Sequence, residues 1–120
     1  MIFITMELLI NNNSFTVKTM ITPKDIQNGM MGKKFDNQFN GMLFILTDGE
    51  HSFWMKDCIV NLDIIFINNN TITKIHKNCK PCKGNNCLRY KGFGDMVLEI
   101  KGGSSDLYDI QENDIVVIND

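Results

Sequence analysis

The first residues that could do chemistry are an indole, an ammonium and two carboxylates in one short stretch: Trp54, Lys56, Asp57 and Asp63. Alternate side chains of an extended chain share a face, so Trp54 and Lys56 would present an indole beside an ammonium. With the two carboxylates, this group is typical of a carbohydrate site, in which the indole stacks on the sugar ring and the polar groups bind its hydroxyls. A structural role is the alternative, with Trp54 as a core anchor and an internal ion pair between Lys56 and Asp63.

The same two carboxylates could serve as the acid and the base of a hydrolase, provided that one of them stays protonated. No other catalytic pattern is present: there is no Walker loop, no Gly-x-Ser-x-Gly and no His-Glu-x-x-His. The two histidines are His51 and His76, and His51 lies in a predicted turn. We therefore expect a non-enzymatic binding or structural module, with a small hydrolase or carbohydrate-active enzyme using Asp57 and Asp63 as the alternative.

A second group of chemical interest is the cluster His76, Cys79, Cys82 and Cys87. Three thiols and one imidazole at this spacing match the Cys3His ligand set of a structural zinc site. A disulfide is the second interpretation, for instance Cys82 with Cys87 or Cys79 with Cys87, and free surface thiols are the third. The sequence leaves all three open, so zinc is the one cofactor to consider. Cys58 stands apart and is expected to be a lone buried residue.

The region around these cysteines is basic. Its cationic residues are Lys74, Lys77, Lys80, Lys83, Arg89 and Lys91, and no acidic residue lies between Asp63 and Asp95. The formal net charge of −2 excludes nucleic-acid binding through overall charge. We expect these charges to solvate a loop, or to meet the acidic C-terminal segment of the same chain or of another copy in an assembly.

The elements that must position these groups are mostly strands. Alternating or continuous apolar runs predict strands at residues 2–9, 14–21, 42–46, 52–55, 62–67, 71–75, 96–100 and 115–118. Capping residues predict one helix over 23–31, ended by Gly32, and a second helix start at 104–106. Turns are predicted at 11–13, 48–50 and 68–70, and a long irregular loop at 77–94. This pattern predicts a mainly β fold, a small antiparallel sandwich or barrel with one or two short helices.

Five blocks of sequence in a fixed order carry a family resemblance. They are Gly29-Met30-Met31-Gly32, Gly41-Met42-Leu43-Phe44, Phe53-Trp54-Met55-Lys56, Leu62-Asp63-Ile64-Ile65-Phe66-Ile67, and Val97-Leu98-Glu99-Ile100 with Gly103. Over about residues 14–118 the chain resembles the domain of unknown function 192 family. The resemblance implies a compact, mostly antiparallel β fold of jelly-roll type with a small helix, and it implies no activity. Asp57 and Asn61 stand where the family usually has Asn and Pro, which would alter a site around that strand.

Length and hydropathy bound the organisation of the chain. With 120 residues, 43% of them apolar, the sequence has room for one core and predicts a single domain over 1–120. No stretch is apolar for long enough to span a bilayer, and the first residues lack a basic region and a cleavage site. We therefore expect a cytoplasmic protein or a virion-associated component, whose partner is a carbohydrate or another protein of an assembly.

Overall fold

The computed structural model describes residues 5–119. These residues form one sheet of seven strands and two short helices. The strands are β1 (Thr5–Ile10), β2 (Asn13–Met20), β3 (Gly41–Phe53), β4 (Leu62–Asn68), β5 (Thr71–Cys79), β6 (Tyr90–Lys101) and β7 (Val116–Asn119). The helices are α1 (Pro23–Asn28), between β2 and β3, and α2 (Ser104–Leu107), between β6 and β7. No helix in this part of the chain is long and apolar enough to cross a membrane.

Two hairpins form around the asparagine-rich turns, as predicted. β1 pairs antiparallel with β2, and β4 pairs antiparallel with β5. Asn11 and Asn12 have φ of 51° and 64°, and Asn69 and Asn70 have φ of 50° and 61°. Asparagine tolerates this left-handed region, which gives a two-residue turn the twist that the strands need. Residues 2–4 of the first predicted strand lie outside the described residues.

The sheet order is β5-β4-β6-β3-β2-β1-β7. The mainly β fold with two short helices is confirmed, but the sheet is not closed and a jelly-roll arrangement is not confirmed. The strand pairs among residues 5–119 are antiparallel except for β2 and β3, which run parallel. A parallel pair needs a crossover connection, and the segment that contains α1 supplies it. α1 therefore lies over one face of the sheet.

β3 and β6 are longer than predicted. The turn predicted at 48–50 is wrong, because β3 runs through it with a shift of register between Ile45 and Gly49. The loop predicted at 77–94 is shorter, since β5 ends at Cys79 and β6 begins at Tyr90. A side chain on Gly94 would lie 2.2 Å from the carbonyl oxygen of Ile67. The glycines of β6 therefore mark close packing within the sheet and not a loop.

α1 ends earlier than predicted, and α2 begins without the predicted side-chain cap. The hydroxyl of Thr22 accepts a hydrogen bond from the Asp25 amide at 3.2 Å, as its capping role requires. α1 ends before Gly29, whose φ is +42°, and not before Gly32. α2 starts after Gly103 and has no side-chain cap. After the earlier end of α1, residues 29–32 form turns, and Met31 pairs with Cys58 through an isolated bridge.

The buried apolar side chains form two clusters. The first joins β1, β2 and the inner faces of β4 and β6, with Leu8, Phe15 and Ile65 among its members. The second lies under α1 and is rich in sulfur and aromatic groups. Its fully buried side chains include Met20, Met30, Met42, Phe44, Met55, Leu62, Ile64, Phe66 and Val97. The candidate site opens into this second cluster.

Candidate functional site

A cavity of about 300 Å³ lies between α1, β3, β6 and the segment 54–58. Its walls are mostly apolar, and its polar groups come from four elements. The lining residues are Ile26, Gln27, Asn28, Gly29, Met30, Met31, Phe44, Leu46, His51, Ser52, Phe53, Trp54, Cys58, Arg89 and Glu99. The volume is at the lower end of the range for small-molecule sites.

Glu99 is the acidic group of this cavity. It lies on β6 between β3 and β4, opposite Met42 and Ile64, so it is enclosed by the sheet on both sides. Its exposed fraction is 3%, and within residues 5–119 its carboxyl makes no hydrogen bond or ion pair. Burial alone raises the pKa of this carboxyl from its usual 4.5 to about 8. At neutral pH the group is therefore mostly a neutral hydrogen-bond donor at the cavity wall.

Cys58 contributes a thiol to the same cavity. Its side chain is buried, and burial is the main cause that raises its pKa from 9.0 to about 12. The negative charges of Glu99 and Asp57 act in the same direction. Because only the thiolate is a good nucleophile, Cys58 forms a chemically inert part of the wall. The prediction of a buried, unpaired Cys58 is confirmed.

The rim of the cavity is a cationic and aromatic group. The guanidinium of Arg89 lies 4.1 Å from the centre of the Trp54 ring, and the ammonium of Lys56 lies 5.2 Å from it. Lys56 also donates a hydrogen bond of 2.7 Å to the side-chain oxygen of Asn85. The predicted proximity of Trp54 and Lys56 is thus present, and Arg89 joins them from a distant part of the chain.

A disulfide loop holds this rim in place. Cys82 and Cys87 are joined by a disulfide, one of the pairings that the sequence left open. The amide of Cys82 donates to the carbonyl of Met55 at 3.1 Å, and the amide of Asp57 donates to the carbonyl of Cys82 at 2.8 Å. These two backbone bonds fasten the loop to the segment that carries Trp54. The loop in turn places Arg89 over the indole.

The two aspartates of the predicted site lie elsewhere. Asp63 is fully buried, and its carboxylate accepts hydrogen bonds from the amides of Asn78 at 2.7 Å, Gly103 at 3.1 Å and Ser105 at 2.8 Å. It therefore joins the end of β5 to the start of α2, and the ion pair expected with Lys56 is not formed. Asp57 is exposed, with φ of 59°. Neither aspartate lines the cavity.

The four residues proposed as zinc ligands have other partners in this structure. A ring nitrogen of His76 lies 2.7 Å from the carbonyl oxygen of Lys91, and Cys79 is buried below it. Cys82 and Cys87 are bonded to each other. Across residues 5–119, no group of three or more His, Cys, Asp or Glu side chains is arranged to hold a metal ion. Zinc binding stays a prediction that applies to the reduced chain.

One basic residue of β5 forms an ion pair with the acidic C-terminal segment of the same chain. Lys77 forms an ion pair of 2.7 Å with Asp106, on α2. Both side chains are more than half exposed, so the pair contributes little to stability. Its presence supports the interpretation of these charges as a solvated surface that pairs within the chain.

Sequence reasoning missed the two charged residues that lie at the cavity. Glu99 interrupts the otherwise apolar run 96–100, which is the signal that could have indicated a buried carboxyl. Arg89 is the single arginine of the chain, but nothing in its neighbours predicts contact with Trp54. Only the fold brings the two near one cavity.

These features define a small β domain whose open seven-stranded sheet carries a partly enclosed, mostly apolar cavity. The chain belongs to the DUF192 family, described as an uncharacterized ACR, whose sequence profile matches residues 6–118. The family resemblance noted in the sequence is thereby confirmed.

Two solved structures resemble this fold closely. One is a putative transcription regulator from Sinorhizobium meliloti, with a TM-score of 0.87 and 23% identity, covering 98% of this chain and 96% of that chain. The other is a protein of unknown function from Novosphingobium aromaticivorans, with a TM-score of 0.78 and 23% identity, covering 96% and 84%. At this identity the likeness concerns the fold alone. No curated protein matches the chain.

Proposed function

We propose that this protein is a binding module for a small molecule, which it holds in the cavity beside Glu99. The observation that carries the proposal is a carboxyl that is 3% exposed, borders an open cavity and has no partner within residues 5–119. Because Glu99 lines the cavity and is mostly protonated at neutral pH, its carboxyl can donate a hydrogen bond to a ligand held there.

The surrounding side chains support binding rather than bond cleavage. The thiol of Cys58 is held protonated by burial. Ser52 and His51 also line the cavity, but a ring nitrogen of His51 lies 2.6 Å from the carbonyl oxygen of Thr47, and within residues 5–119 no hydrogen bond joins His51 to Ser52. The hydrolase alternative rests on Asp57 and Asp63, and the carboxylate of Asp63 is occupied by three backbone amides. Both oxygens of Asp63 are engaged by these amides and Asp63 does not line the cavity, so its position does not favour proton transfer to a ligand held there.

The carbohydrate interpretation receives less support than a compact, partly apolar ligand. A sugar would stack on a free face of Trp54, but Arg89 lies over that ring at 4.1 Å. The cavity wall is formed instead by Met30, Phe44 and Phe53. Such a wall gains free energy by covering apolar surface and offers few partners for sugar hydroxyls.

The proposal is tested by screening small aromatic and aliphatic compounds with ligand-observed NMR against three proteins. The wild type is compared with Ser52→Trp, which places a large ring at an exposed position on the cavity wall. The matched control is Glu50→Trp, an exposed position two residues earlier on β3 that does not line the cavity.

We expect to find compounds that bind the wild type and Glu50→Trp with similar affinity. Their affinity for Ser52→Trp should be at least tenfold lower. A circular dichroism melt of each variant checks that the fold is retained. Equal binding to all three folded proteins, or no binding by any compound, would refute the cavity as the ligand site. Simple sugars are included, and their preferential binding would favour the carbohydrate interpretation instead.

A further inference from the structure

We infer that the ligand of this cavity is a small organic anion, with an apolar body inside the cavity and a carboxylate-like group on the Arg89 guanidinium at the rim. This inference rests on the proposed function and names the chemical class of its ligand. It is carried by the arrangement of Arg89, Trp54 and Lys56, none of which is paired with an acidic side chain within residues 5–119.

The Arg89 guanidinium is held in position and still has its donors available. Its Cζ lies 4.1 Å from the centre of the Trp54 indole, a contact that restrains the side chain without using an N–H group. In the described part of the chain it makes no hydrogen bond to another side chain, and the ion pair that is present joins Lys77 and Asp106. A guanidinium fork of this kind matches the two oxygens of a carboxylate.

The opening carries more positive than negative charge: Arg89 and Lys56 lie at the rim, and Asp57 is an exposed acidic residue of the same segment as Lys56. The ammonium of Lys56 contacts the same indole and donates a hydrogen bond to Asn85 in the disulfide loop. Lys83 is an exposed cation in the same loop. The acidic residue of the lining, Glu99, is mostly neutral at neutral pH and does not cancel this positive field. An oriented positive rim raises the association rate of an anionic ligand.

The interior fits the rest of such a molecule. Phe44, Leu46, Phe53 and Met30 offer apolar contacts to a ring or a short chain. Glu99 presents a carboxyl that acts as a donor, so it can bind a second acceptor atom of the ligand, whereas two ionised carboxylates would repel each other. A cationic ligand would be attracted by Glu99 only when that carboxyl is ionised, and the positive charge of Arg89 at the rim would repel it.

The inference is tested with three probes of one shape and different charge: benzoate, benzyl alcohol and benzylammonium. Affinities are measured by calorimetry at neutral pH in low salt for the wild type, Arg89→Gln and Lys83→Gln. Lys83→Gln is the matched control, since it removes one positive charge from the same loop at a residue that does not line the cavity.

We expect the wild type to bind benzoate about tenfold or more tightly than benzyl alcohol, as a charge-assisted pair requires. Arg89→Gln should bind benzoate no more tightly than benzyl alcohol, and Lys83→Gln should keep the preference for benzoate. Stronger binding of benzylammonium, or equal binding of benzoate and the alcohol, overturns the anion assignment and leaves the binding site itself intact. Failure of all three probes with the wild type, together with failure of the compound screen, refutes the proposed function as well.

Discussion

Replacing Glu99 by glutamine is predicted to change the pH dependence of stability more than any other single substitution. The carboxyl of Glu99 is 3% exposed, and burial raises its pKa from 4.5 to about 8. In this range the folded protein keeps a proton that the unfolded chain has released. The stability that the protonated carboxyl contributes is fully present below the unfolded pKa and is lost as the pH rises through the folded pKa.

The size of the effect follows from these two pKa values. Each pH unit between 4.5 and about 8 lowers the free energy of unfolding by about 1.4 kcal/mol, roughly 5 kcal/mol in total. Glu99→Gln has nearly the same shape and no titrating proton, so its stability should lack this decline. The variant should therefore equal the wild type within about 1 kcal/mol near pH 5 and exceed it by several kcal/mol at about pH 8.

The assay is urea denaturation of both proteins at intervals between about pH 5 and about pH 8.5. The difference between the two curves cancels groups that titrate equally in both, and the upper limit stays below the ionisation of Cys58 and Cys79, whose pKa values are raised to about 12 and about 11. A difference that stays constant over the whole pH range would refute the reasoning. So would a carboxyl carbon resonance of Glu99 that titrates with a midpoint below about pH 5.

Three further substitutions test the parts that position the site. Asp63→Asn should lower the free energy of unfolding, measured by urea denaturation, by about 3–5 kcal/mol, because its side-chain NH2 group would face backbone N–H groups that now donate to a buried carboxylate. A decrease below about 1 kcal/mol would contradict the structural role of Asp63. Replacing Cys82 and Cys87 by serine should cost about 2 kcal/mol, as expected for so short a disulfide loop, and should speed amide exchange in 80–89; unchanged exchange would be contrary to the account. Gly94→Ala should lower stability by at least about 1–3 kcal/mol in a thermal melt, since the added carbon would meet the Ile67 carbonyl and a backbone oxygen cannot turn away; an unchanged melting temperature would refute this close contact.

The local parts of the fold were predictable because their causes lie in short stretches of sequence. Asn11 and Asn69 begin turns that suit their tolerance of positive φ, and Thr22 caps α1 as its position suggests. The parallel pairing of β2 with β3 and the continuity of β3 through Gly49 were not predictable, since both depend on which distant strands meet. Gly92 and Gly94 resemble loop residues in the sequence, but the packed sheet requires their small size next to Phe66 and Ile67.

The candidate site also has residues whose positions were predictable from the sequence and residues whose positions were not. Trp54 and Lys56 were placed together because two residues on one extended segment share a face. Asp63 was expected to join them, but the ends of β5 and α2 supply the amides that bind it. The positions of Glu99 and Arg89 at the cavity were not predictable from the sequence, because β6, α1, β3 and the residues after the disulfide loop meet there only in the fold. Their proximity to one cavity is a property of the tertiary structure.

The central claim is that a small molecule binds in the cavity beside Glu99, and methionine methyl NMR tests it most directly. Met30 and Met31 line the cavity, whereas Met20 and Met42 are buried in the same cluster without lining it. On titration with the tightest-binding compounds of the screen and with benzoate, benzyl alcohol and benzylammonium in turn, the account predicts, for at least one compound, saturable shifts of the Met30 and Met31 methyl resonances and little change at Met20 and Met42. Shifts confined to other methionines, or no saturable shift at any methionine, would contradict it.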